Sequence, residues 1–327
     1  MEYVDQNLKP LLENELDSVV RFHEFLSEKD RNGDALLVYR GEELRNIKQR
    51  LFKDPSNVDH SEILEGAFYI GEKARSLHIN DNEIARDYLT GINDCSSETF
   101  YFIFDRMVNV LSSEKLKKVV RENTSTQFRE YFLEPSNRVA FVEKVLSVTD
   151  STVILRVRDY YLYLLHVAGS DGVRVETTLI STSTDKNIAR YFSKVHKNIR
   201  NKVIFHYYVP APFFKLTVSP WLCSHYETSI CELGLPRYKA HGLFPKQKEV
   251  CIKGALFPHF ILGVELLDKR LFVVNPLSIN LDCEEYECVL HRGFNVDHSD
   301  FEKRMLETAY QSYAQTDLDG NFEQHNV

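Results

Sequence analysis

The spacing of apolar residues changes abruptly along this chain, and that change limits the folds open to it. From about Glu43 to Ser147 apolar side chains recur at three- and four-residue steps, as they do on helices. From Thr152 onward they bunch into short runs rich in Val, Ile, Tyr and Thr, which is the pattern of strands. A helical block between strand-forming segments predicts an α+β chain.

The element boundaries follow from the same pattern. A helix is expected over Asp5–Lys29, and Asp30 to Asp34 then reads as a turn in which Gly33 supplies a permissive backbone. The next run, Ala35–Tyr39, predicts a strand that delivers Arg40 at its end. Helices are expected over Glu62–Leu77, Ser97–Leu111 and Asn137–Val148, with starts at Ser96-Ser97 and Ser136-Asn137. Strands are expected over Thr152–Val157, Tyr160–His166, Thr177–Ser181, Val203–Val209, Glu249–Ile252, Phe260–Leu266 and Arg270–Val274. Lys186–Val195 reads as a helix and Pro220–Lys246 as a long loop holding Trp221. A C-terminal helix over Phe301–Tyr313 and a mobile polar tail over Gln315–Val327 complete the expectation.

Composition narrows the class. With 43% hydrophobic residues in 327, a substantial core can be built. A net charge of −8 argues against a general nucleic-acid coat. No secretory signal and no membrane-length apolar run is visible. The cysteines at 95, 223, 231, 251, 283 and 288 form no Cys-x-x-Cys pair, and no His completes a zinc spacing. Free thiols in a cytoplasmic protein without a metal are therefore expected. Positive charge gathers in two stretches. One runs from Lys186 through Arg190, Lys194, Lys197 and Arg200 to Lys202; the other holds Arg237, Lys239, Lys246, Lys248 and Lys253. Each reads either as a solvated face or as a seat for a phosphate-rich ligand.

Three short segments carry the chemistry: Leu36-Leu37-Val38-Tyr39-Arg40-Gly41, Leu179-Ile180-Ser181-Thr182-Ser183, and Gln247-Lys248-Glu249-Val250. Alone, they read as a strand exit, a helix N-cap and an exposed strand carboxylate. In this order, each on an apolar strand-like run, they resemble the Arg…Ser-Thr-Ser…Gln-x-Glu signature of the ADP-ribosyltransferases. The resemblance covers roughly residues 35–42 and 150–275. It implies a split β-sandwich core with a large helical insertion and an N-terminal helix. The corresponding division is a helical segment over 1–34, a catalytic domain over 35–290 with its insertion at about 43–150, and a C-terminal helix and tail over 291–327.

The same resemblance implies function and roles. NAD+ would be the co-substrate, cleaved at its nicotinamide bond, with ADP-ribose passed to a target. Glu249 would meet the nicotinamide ribose and stabilise an oxocarbenium-like transition state. Arg40 would hold phosphate or ribose through its planar fork, and Gly41 would take the nicotinamide amide. Ser181 would orient Glu249, with Thr182, Ser183 and Phe192 (or Tyr191) lining the dinucleotide site. On a strand, Gln247 would share a face with Glu249. In the family, Gln at that position accompanies asparagine or nucleic-acid bases as acceptors and not arginine. Phe244 and Tyr238 lie in the loop the family uses to touch targets. The long gap before Ser181 leaves Arg156 and Arg158, on a later strand, as fallbacks for Arg40. The expected activity is a toxin or defence effector that modifies RNA or DNA, neutralised by an antitoxin partner. A protein acceptor, an NAD+ glycohydrolase and a non-catalytic binding module are the alternatives.

Overall fold

A computed structural model describes residues 1–52, 54–73, 93–113, 118–169, 171–193, 200–296, 312–316 and 322–326. The chain begins with β1 (Glu2–Val4), α1 (Glu13–Asn32), β2 (Ala35–Glu43), α2 (Leu44–Leu51) and α3 (His60–Ile70). A helical stretch follows: α4 (Ser97–Leu111), α5 (Lys118–Asn123), α6 (Thr126–Leu133), α7 (Asn137–Leu146), α8 (Ser151–Ala168) and α9 (Asp171–Glu176). Then come β3 (Leu179–Ser183), α10 (Lys186–Ser193), β4 (Lys202–Pro210), β5 (Thr217–Val218), α11 (His225–Glu232) and β6 (Glu249–Lys253). The last elements are β7 (Ile261–Leu266), β8 (Leu271–Val274), α12 (Tyr286–Arg292), β9 (Ser312–Thr316) and β10 (Phe322–Asn326). The protein is therefore α+β. No helix among the described residues is long and apolar enough to cross a membrane.

Two compact units are formed, and neither is continuous in sequence. The first comprises Met1–Asp81, Ile180–Thr217 and Gly254–Val327; the second comprises Asn82–Leu179 and Val218–Lys253. Helices begin at Leu44, as the periodicity predicts, but α2 and α3 belong with the first unit and not with the helical second one.

In the first unit the strands run in the order β1, β8, β7, β4, β2, β3. Only β1 and β8 pair in parallel; the remaining pairs are antiparallel. The longest ladder joins β2 to β4, from Ala35 opposite Pro210 to Glu43 opposite Lys202. Arg40 and Gly41 therefore lie inside a paired strand, opposite Phe205 and Ile204, and not beyond its end. Helix α1 buries Val19, Phe22 and Leu26, with Val19 packed on Phe272 and Val274 of the sheet. It ends at Gly33, whose φ of 83° is the left-handed cap that favours glycine. Gly41 is required for another reason: a Cβ there would overlap the Ala189 carbonyl of α10.

His23 of α1 packs edge-on to Phe272. Burial, then repulsion from His206, lower its imidazole to about 4. Its folded value lies below the unfolded value of about 6.5, so the unfolded chain binds the extra proton between them. The stability contribution is complete above that range and is lost as pH falls toward 4. Between pH 7 and pH 5 this one group should cost about 2 kcal/mol. Urea unfolding of His23→Phe should show a correspondingly flatter pH dependence; an unchanged slope would remove His23 as the cause.

The second unit is built around α8. Thr152–Val157 and Tyr160–His166, expected as two strands, are one continuous helix whose residues from Val157 to Ala168 are all buried. A helix enclosed on every side has no continuous polar stripe and loses its 3.6-residue signature. Its Tyr- and Val-rich composition then imitates a strand. Asp150 caps it by accepting from the Thr152 amide at 2.8 Å. Phe100, Phe104, Phe132 and Phe141 pack with its Tyr161 in one aromatic core.

Three further expectations change. The loop Pro220–Lys246 contains α11. The tail is paired, with Phe322 opposite Thr316 and Asn326 opposite Ser312; a backbone ladder needs no apolar pattern, so composition does not reveal it. Of the expected helix Phe301–Tyr313, residues 301–311 lie outside the described residues, and Ser312 and Tyr313 begin β9.

Candidate functional site

In the first unit, β2 directs Arg40 into a closed set of partners. Nε donates to Glu72 Oε2 at 2.8 Å, Nη1 to the Ser181 carbonyl at 2.8 Å, and Nη2 to Glu42 Oε2 at 2.9 Å. Glu72 is held by reciprocal backbone hydrogen bonds with Leu256, each 3.0 Å. Arg50 of α2 reaches both carboxylates, Glu42 at 3.1 Å and Glu72 more closely. Burial acts to raise the Glu42 carboxyl, but Arg40 and Arg50 outweigh it and hold it far below the usual range. The Lys73 ammonium is pushed down to about 8, first by Arg40 and then by burial, against the pull of Glu72. Three cations thus face two carboxylates. A phosphate reaching Arg40 would have to share or displace a partner it already has.

Ser181 lies on β3, half-buried, and Thr182 and Ser183 are buried. The helix is capped just after the motif, by Asp185, which accepts from the Asn187 amide at 2.9 Å; Ser183 Oγ accepts from the Asp185 amide at 3.1 Å. On α10, Ala189 faces Gly41, whereas Tyr191 and Phe192 are exposed. The adjoining basic stretch is largely spent internally. Lys186 and Arg190 pair with Glu265, and Lys202 pairs with Glu43. His206, 3.6 Å away, with help from Lys186 and Arg190, holds the Glu265 carboxyl down to about 2 against burial. Lys194 and Lys197 lie outside the described residues.

In the second unit, Glu249 opens β6 and is only 8% exposed. Its backbone carbonyl accepts from Ser219 Oγ at 3.2 Å and from the Trp221 indole. Its carboxylate accepts from the Tyr163 hydroxyl at 3.4 Å. Burial, then the neighbouring Glu249 charge, raise the Tyr163 hydroxyl far above its ordinary value, so it stays a donor. A ring nitrogen of His166, the Cys251 sulfur and a Glu249 oxygen lie within 4.8 Å of one another. Tyr163 and His166 share a face of α8 at i, i+3 spacing. Sequence reasoning missed both because it read α8 as strand.

Other expected positions move. Gln247 is not on β6 but ends a one-turn 3-10 helix, Pro245–Gln247, and Lys248 between it and Glu249 has φ of 46°. The alternation that would align Gln247 with Glu249 is therefore broken. Tyr238 is 2% exposed, stacked on Tyr160, and donates its hydroxyl to the Tyr160 carbonyl at 2.6 Å. It is a core anchor and is not presented to a target. Phe244 is partly buried against the same core. Arg158 is buried on α8, bound to Asp159 at 2.7 Å, which also holds Lys253 at 2.6 Å. Arg156 and Arg158 thus lie on a helix and not on a strand, and Lys253 is withdrawn from the second basic stretch.

Arg40, Gly41 and Ser181 to Ser183 belong to the first unit, and Gln247 and Glu249 to the second. No family model matches this chain, and no curated protein or solved structure is significantly similar to it.

Proposed function

We propose that this protein is an ADP-ribosyltransferase that cleaves NAD+ at the nicotinamide bond and transfers ADP-ribose to an acceptor. One contact carries the reading: Arg40 and Ser181, 141 positions apart, meet through a 2.8 Å hydrogen bond. Two segments selected for their motif are thereby adjacent, on neighbouring strands β2 and β3. The third, Glu249, supplies a buried carboxylate with a hydroxyl donor beside it. Such a carboxylate suits a reaction whose leaving group departs neutral and whose positive charge develops on a sugar. It needs a fixed negative charge and no general acid.

The Gln-x-Glu resemblance favours a nucleic-acid base as acceptor, although the turn at Lys248 removes the strand alternation that would set Gln247 beside Glu249. Hydrolysis, with water as acceptor, is the second reading. It is favoured by the internal pairing of Lys186, Arg190, Lys202 and Lys253 and by the burial of Tyr238, which leave fewer groups to grip a polymer.

Incubation with NAD+ labelled in its adenylate half, with total RNA, DNA or protein added separately, tests both. Release of nicotinamide with nuclease-sensitive polymer label is the expected result. Free ADP-ribose alone would establish hydrolysis, and intact NAD+ under all conditions would overturn the proposal.

A further inference from the structure

We propose that His166, Glu249 and Cys251 form a binding site for a thiophilic divalent cation of the zinc class. Resting on the reading of Glu249 as the ribose-facing carboxylate, occupancy of this site would switch off NAD+ cleavage.

The donor set is one nitrogen, one oxygen and one sulfur, all on buried residues, with the three atoms within 4.8 Å of one another. Zinc bonds of about 2.0 Å to N and O and 2.3 Å to S require these donors to close in by roughly 1 Å. Two of them come from alternate residues of β6, which project to one face of the strand. The third comes from α8, the helix that also brings Tyr163 to Glu249. Sulfur selects against magnesium and calcium, which take oxygen ligands. Three protein ligands leave a fourth position open, as in reactive and exchangeable zinc sites and not in structural ones. Coordination displaces the Cys251 thiol proton to solvent. The dication, thiolate and carboxylate then sum to zero charge, which suits a buried site.

The hydrogen bonds around His166 set its ring for this role. Thr177 Oγ1 donates its single proton to the Arg174 carbonyl at 2.8 Å. With its proton on that carbonyl, its oxygen is left to accept from His166 Nδ1, 3.0 Å away. That arrangement, with the ring proton on Nδ1 and the lone pair on Nε2, is the tautomer the proposed site uses. Metal-ligating histidines commonly have this second partner, which fixes the tautomer. Sequence reasoning, which looked for zinc through Cys-x-x-Cys spacing, could not find a site whose ligands come from a helix and a distant strand.

Cobalt(II) is the probe, added without oxygen to the full chain after chelator treatment and without NAD+. The expected result is one ion per chain with a thiolate-to-cobalt charge-transfer band. Cys251→Ser should abolish the band, and Cys223→Ser should leave it unchanged. Thr177→Val, which keeps all three ligands, should weaken cobalt affinity about 10–100-fold. Circular dichroism confirms that each variant is folded. No band, or a band that survives Cys251→Ser and Thr177→Val, would overturn the site. Where NAD+ is cleaved, zinc should suppress the parent's turnover but not that of Cys251→Ser, each compared with its own metal-free rate. A cobalt band in a protein that leaves NAD+ intact would keep the site and reject only the enzymatic reading. Cleavage without a band would do the reverse.

Discussion

Glu249→Gln is expected to lower the proposed NAD+ cleavage by about 100–1000-fold, the cost of removing one preorganised electrostatic contact from a transition state. The substitution keeps the size of the side chain and an oxygen that can accept from Tyr163, so the local packing persists. What it removes is the charge. The effect should fall on kcat and leave KM for NAD+ nearly unchanged, because a neutral ground-state contact survives. Initial rates of nicotinamide release, with a melting curve to show that the fold is retained, make the measurement. Undiminished turnover would end the assignment of Glu249, whatever the fate of the acceptor.

Arg40→Met destabilises the first unit by about 3–5 kcal/mol, because it leaves buried carboxylates short of a partner. Glu72, with a fully buried side chain, and Glu42 would lose Arg40 and keep Arg50 as a salt-bridge partner. Methionine preserves most of the volume, so a loss of that size reports the charges and not a cavity. Arg40→Lys keeps a cation but gives up the planar fork that serves three acceptors at once, and an intermediate loss is expected. Removing Glu72 together with Arg40, as in Arg40→Met/Glu72→Leu, should recover much of the stability, a coupling that a double-mutant cycle measures directly. Urea unfolding is the assay. A loss under about 1 kcal/mol for Arg40→Met would show that water reaches the cluster and that the network is not closed.

Much of the strand framework was legible before the structure. The expected runs at Ala35, Val203, Phe260 and Arg270 fall on β2, β4, β7 and β8 to within a few residues. Helix α4 begins and ends where its pattern does, and Ser96 caps it by accepting from the Thr99 amide. These elements each have one dominant face or a clear cap, so the local signal is strong. Helix α8 was misread because from Val157 onward it has no solvent face from which a period could be taken. Gln247 was misplaced because the left-handed turn at Lys248 has no distinctive residue to announce it. Tyr238 looked like a loop aromatic; its hydrogen bonds with Tyr160, 78 positions away, carry it into the core.

By itself the sequence determined strands β2, β4, β7 and β8 and helix α4, and it singled out Arg40, Ser181 and Glu249. Periodicity, caps and glycine turns act over a few neighbouring residues, so they can be read in order along the chain. Tertiary structure alone decided the partners: Glu72 and Arg50 around Arg40, and Tyr163, His166 and Cys251 around Glu249. Electrostatic attraction and hydrogen bonding depend on distance in space, and folding sets that distance without regard to how far apart two residues stand in the chain.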